Sequence, residues 1–105
     1  MALLDPFAGI IGFEWDEANS EKNWRSHAVT RAGAEQAFAN PPVLVVGDVA
    51  HSQDESRFVL LGRTDGNRRL FVAFMVRRNR VRIISARPMS RRERRQYGEA
   101  LGTQA

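Results

Sequence analysis

The segment Arg80-Val81-Arg82-Ile83-Ile84-Ser85-Ala86-Arg87 alternates cationic and apolar side chains at its start, the pattern of a strand with one charged and one buried face. Arg80 and Arg82 share one face, and Val81 and Ile83 share the other. The apolar pair should meet the core, so the two arginines look out. Arg57, at the start of a neighbouring strand, joins them if the register brings the strand ends together. Arg87 falls opposite Arg82 in a regular strand, so both serve one surface only if the strand ends or bulges between them. Guanidinium forks on a rigid sheet are suited to a phosphodiester, whose oxygens they bind in pairs and whose developing charge they stabilise.

Proton transfer at neutral pH points to histidine, and the chain has two, His27 and His51. His51 lies in the polar stretch Asp48 to Glu55 between two strands, and His27 closes the first helix. Either can be a plain surface residue: His27 as a helix-end group, His51 as a solvated loop side chain. Asp48, His51, Asp54 and Glu55 are rich in oxygen, but their spacing matches no defined metal loop. There is no Gly-rich phosphate loop or nucleophile elbow. The expectation is therefore chemistry with neither metal nor cofactor. RNA cleavage by attack of the substrate's own 2′-hydroxyl meets that condition, needing only a base, an acid and cations around the phosphate.

Charge is distributed unevenly around these residues. Residues 57–95 hold thirteen arginines against Asp65 and Glu93, whereas residues 1–56 hold nine carboxylates against Lys22, Arg25 and Arg31. A polyanionic partner is expected from the second half. The chain has no cysteine, which removes disulfides and thiolate metal sites and favours the cytoplasm. The apolar opening, 1–12, lacks a basic start and is broken by Asp5 and Pro6. It reads as an extension packed on the fold rather than as a signal peptide or membrane span.

At 105 residues the chain suits one core. The spacing predicts an extension over 1–12, a single domain over 13–101 and a tail over 102–105. Phe13 to Trp15 is a short strand candidate, and Asp16 caps a helix from Glu17 to Ser26 with Ala18, Trp24 and Ala28 toward one face. A second helix follows Thr30, with Ala34, Ala37 and Phe38 at helical spacing and Asn40-Pro41-Pro42 as its stop. Val43 to Val46, Arg57 to Arg63, Arg69 to Val76 and Arg80 to Arg87 read as strands, the last three joined by short turns into an antiparallel meander. Ser90 and Glu93 have capping-box spacing and start a helix running to about Leu101. The predicted fold is α+β: a small antiparallel sheet of three to four strands, two N-terminal helices over one face, and one C-terminal helix.

Phe13-Glu14-Trp15-Asp16, Asn23, His27-Ala28-Val29-Thr30 and Phe38 before Pro41 resemble the opening of BrnT toxins. The second half is the stronger match: His51-Ser52, Glu55 with Arg57-Phe58, Leu61-Gly62, then Arg82 to Arg87 followed by Arg91-Arg92-Glu93 and Tyr97. The likeness covers about residues 13–97. It implies a RelE-like fold with an RNA-cleaving surface on the sheet. It also implies a bacterial type II toxin-antitoxin system, whose BrnA-like ribbon-helix-helix antitoxin blocks the toxin and supplies all contact with operator DNA. Matched by position, His51, Arg57, Arg82 and Arg87 are the active-surface candidates, with His27 and Tyr97 added. Lysine is usual in the family at the positions of Asn19 and Ser26, glycine at Ala28, and an acidic residue at Gly33. The lost lysines would weaken RNA binding if they touch it.

Three readings follow. In the first, the chain is an endoribonuclease toxin that inhibits translation, its arginines gripping the phosphate and His51 moving a proton. In the second, it is a catalytically attenuated homologue serving as an antitoxin-binding corepressor module. In the third, it is a free-standing nucleic-acid-binding domain whose binding is salt-sensitive.

Overall fold

The structure, a computed structural model, describes residues 9–47 and 57–103. Its elements in chain order are β1 (Gly12–Glu14), α1 (Glu17–His27), α2 (Arg31–Gln36), β2 (Leu44–Gly47), β3 (Arg57–Arg63), β4 (Arg69–Arg77), β5 (Arg80–Pro88) and α3 (Arg91–Thr103). The strands form one sheet in the order β1-β5-β4-β3-β2. Strands β3 to β5 are the antiparallel meander read from the sequence, and β2 adds to it by pairing antiparallel with β3. The sheet has five strands, one more than the upper expectation, and it is mixed because β1 pairs parallel to β5. Three residues carry too little pattern to announce a pairing, and their partner lies at the far end of the chain.

Both tight turns follow from residue type. Arg78 and Asn79 have φ of 52° and 62°, the two left-handed positions of a type I′ hairpin. Asn67, at φ 65°, reverses the chain between β3 and β4. The helix starts are capped as their sequences require. Asp16 accepts from the Asn19 amide at 3.2 Å, and Thr30 accepts from the Gly33 amide at 2.9 Å. Ser90 and Glu93 form a reciprocal capping box at 3.2 and 2.7 Å.

The face of α1 differs from the expectation. Ala18, Trp24 and Ala28 are exposed, Trp24 at 57%, and the buried residue is Asn23. A buried amide can turn inward because the sheet offers it a hydrogen bond: Asn23 Oδ1 accepts from the Ala86 amide of β5 at 3.2 Å. Helix α2 ends sooner than its apolar spacing suggested, yet Ala34 and Ala37 are fully buried and Phe38 packs on the core through the turn that follows. That turn presses on β3 at Gly62, where a Cβ would stand 2.3 Å from the Ala37 carbonyl oxygen. Only glycine fits so close an approach.

Alternation along the strands divides the apolar residues between two clusters. Leu60, Leu70, Val72, Phe74, Val81, Ile83 and Ala86 face the helix layer and pack with Val29, Ala34 and Ala37. Phe38 joins Phe13 and Phe74 edge to face, at centroid distances of 5.2 and 5.0 Å. On the other face, Leu61 and Phe71 pack with Leu44, Met89, Tyr97 and Leu101. Helix α3 therefore closes one end of the second face, and among the described residues no helix covers the end nearer the β4–β5 hairpin.

Candidate nucleic-acid interface

The strand β5 is not regular. Ala73 of β4 pairs with Ser85, but the next residue, Phe74, pairs with Ile83, so Ile84 is an extra residue, a β-bulge. Inward positions before it are Val81 and Ile83, and after it Ala86. The alternation shifts by one, and Arg82 and Arg87 come to the same face. Arg57 shares it: Arg57 and Arg82 both pair with Met75, one from each side. The row continues to Glu14, the partner of Arg82 on β1. Two strand spacings separate Arg57 from Arg82, roughly 10 Å between Cα atoms.

Arg82 and Arg87 both have carboxylate partners. Arg82 lies 3.3 Å from Glu14 and 3.6 Å from Asp16, long contacts between partly exposed groups that contribute little and can be displaced. Arg87 is held more firmly. It donates two bonds to Glu93, at 2.8 and 2.9 Å, and its guanidinium lies 3.9 Å over the Phe71 ring. The hydrogen bond from Arg87 holds the Glu93 carboxyl below the usual carboxylate range, against the opposing effect of burial. Arg87 thus ties α3 to the sheet, about four residues along β4, or roughly 13 Å, from the Arg57–Arg82 row.

The remaining candidates separate from that row. His27 ends α1 and is exposed, in the helix layer across the sheet. Its carbonyl and that of Ala28 accept bonds from Arg68, so the helix end is satisfied without its imidazole. Tyr97 is fully buried in the second cluster, and its hydroxyl donates to the Pro42 carbonyl at 2.8 Å. Burial pushes that hydroxyl's pKa up, opposed by the charges of Arg63 and Arg69. This position makes Tyr97 an anchor of α3 in the core. His51 lies outside the described residues, as do Asp48, Asp54 and Glu55.

The two carboxylates beside Arg82, Glu14 and Asp16, were not read from the sequence as part of the site. The signal was present in Phe13-Glu14-Trp15-Asp16, where Phe13 points into the core and Glu14 away from it. It could not be used without knowing that β1 lies beside β5. Among the described residues, no three His, Asp or Glu side chains converge as a metal site.

The comparisons with known proteins bear on this surface. The family model described as the ribonuclease toxin BrnT of type II toxin-antitoxin systems matches residues 15–93. The chain belongs to the BrnT family. BrnT toxins are ribonuclease toxins of paired toxin-antitoxin systems, which fits an arginine-rich sheet face. The 1.1 Å crystal structure of the Brucella abortus ribonuclease toxin, BrnT, shares the fold. Its TM-score is 0.58 over 77% of this chain and 99% of that one, at 20% sequence identity. No curated protein matches the chain. No helix among the described residues of this BrnT chain is long and apolar enough to cross a membrane.

Proposed function

We propose that the chain is an endoribonuclease toxin that cleaves RNA without a metal, through attack of the substrate's 2′-oxygen on the adjoining phosphorus. The observation that carries this reading is the row Arg57, Met75, Arg82, Glu14 on the end of the second sheet face that α3 leaves uncovered. In the reaction the 2′-hydroxyl gives up its proton, the new O–P bond forms, and the bond from phosphorus to the 5′-oxygen breaks. The leaving oxygen takes up a proton, and a 2′,3′-cyclic phosphate remains. Arg57 and Arg82 stabilise charge on the phosphoryl oxygens. Phosphate displaces Glu14 from Arg82, and the freed carboxylate becomes a proton acceptor beside the reacting group. His51 supplies the second proton carrier. Arg87, His27 and Tyr97 have no direct part in this scheme.

A BrnA-like ribbon-helix-helix antitoxin, covering this surface and carrying the contact with operator DNA, completes the pair. The purified chain should cleave RNA in EDTA and leave cyclic phosphate ends; intact RNA would contradict the proposal. The pH–rate profiles separate the proton carriers. Glu14→Gln should abolish the acid limb and His51→Ala the alkaline limb.

The salt links of Arg82 and Arg87 favour a second reading, an antitoxin-binding corepressor without catalysis. Repression of the operator that survives Arg82→Ala and His51→Ala, with no cleavage by the parent chain, would select it.

A further inference from the structure

At the far end of β4 lies a cleft of about 380 Å³ lined by Arg68, Arg69, Arg94, Asn67 and Pro88. Its three arginines come from the β3–β4 turn, the start of β4 and helix α3. None has a carboxylate partner among the described residues, in contrast to Arg82 and Arg87. The nearest acid of the turn, Asp65, accepts from Asn40 instead, at 3.0 Å. Two of the guanidinium groups are held in place. Arg68 donates to the carbonyls of His27 and Ala28 at the end of α1, which leaves three of its five N–H donors available. Arg69 lies 5.8 Å from the centre of the Tyr97 ring. Arg94 is exposed on the first turns of α3 and completes the third wall. Among the described residues the cationic charge of the cleft is therefore uncompensated, which suits it to an anion.

We infer that this cleft is a second phosphate-binding subsite, which takes an internal phosphodiester of the RNA strand whose scissile linkage rests on Arg57 and Arg82. The inference rests on the reading of RNA as the ligand. Six residues of β4 separate Arg69 from Met75, the residue beside Arg82, a distance of roughly 20 Å. A dinucleotide cannot occupy both places, whereas a longer single strand can follow the second face past the edge of α3 from one to the other. The cleft thus adds affinity for polynucleotides without taking part in bond breaking.

The test is equilibrium binding of non-cleavable 2′-O-methyl oligoribonucleotides, a dinucleotide and a strand long enough to span both sites, over a range of salt. Arg94→Ala should weaken the long strand about fivefold near 0.1 M salt and reduce the slope of log K against log salt by about 0.7, one phosphate contact. The dinucleotide should bind as before. Arg92→Ala, an equal loss of charge on the exposed part of the same helix outside the cleft, should cost clearly less. Arg94→Gln repeats the test with a different side chain. Equal effects of Arg92→Ala and Arg94→Ala, or an unchanged slope, would overturn the inference. Cleft-dependent binding by a chain that cleaves no RNA would refute the nuclease reading and leave the cleft standing. Cleavage with no cleft dependence would do the reverse.

Discussion

Arg82 and Arg87 present their side chains on the same face of β5 although five positions separate them, because Ile84 is accommodated as a bulge. The bulge is stabilised from the opposite layer, where Asn23 of α1 accepts the Ala86 amide and is itself buried. Asn23→Ala should therefore destabilise the fold by about 1 kcal/mol, because it orphans the Ala86 amide while also removing Asn23 Nδ2, which is buried without a partner among the described residues. Urea unfolding measures it, and a loss below a few tenths of a kcal/mol would show that the bulge stands without α1.

The Arg87–Glu93 pair gives stability a defined dependence on pH. Because the folded-state pKa of Glu93 lies below its ordinary value, the contribution is complete above about pH 5 and is lost as pH falls through the lowered pKa. Glu93→Gln should cost about 1 kcal/mol at pH 7, after allowance for the partial exposure of Arg87. The gap between the two proteins should narrow as acidification protonates Glu93. A gap that widened in acid would mean that the pair opposes folding.

Ala28 ends α1 in the left-handed region at φ 52°, where a Cβ is unfavourable. Ala28→Gly should stabilise the protein by about 1 kcal/mol, which thermal unfolding measures. A lower melting temperature in the variant would mean that the methyl group has packing value the strain argument omits.

Much of the fold is written in local pattern. Capping residues at Asp16, Thr30 and Ser90, turn residues at Asn67 and Asn79, and the alternation of β3 to β5 each act over a few positions. What could not be read was non-local. The parallel placement of β1 joins residues 68 apart, Glu14 and Arg82, and the inward turn of Asn23 depends on the Ala86 amide, 63 residues away. The site divides in the same way. Arg57 and Arg82 follow from strand ends and alternation, whereas Glu14 depends on the edge pairing. Tyr97 and His27 have residue types suited to chemistry, but their positions within the core and the helix layer are set by tertiary packing.

The most direct test of the account is RNA cleavage in EDTA by the parent chain, Arg82→Ala, Arg57→Ala and Arg92→Ala, each confirmed folded by thermal unfolding. The expected result is a fall in kcat/KM of about 10²-fold or more for Arg82→Ala and Arg57→Ala, the scale of losing a transition-state charge contact. Arg92→Ala, off the row, should lie within a few fold of the parent. Full activity in Arg82→Ala, or equal losses in all three, would contradict the assignment of catalysis to the Arg57–Arg82 row.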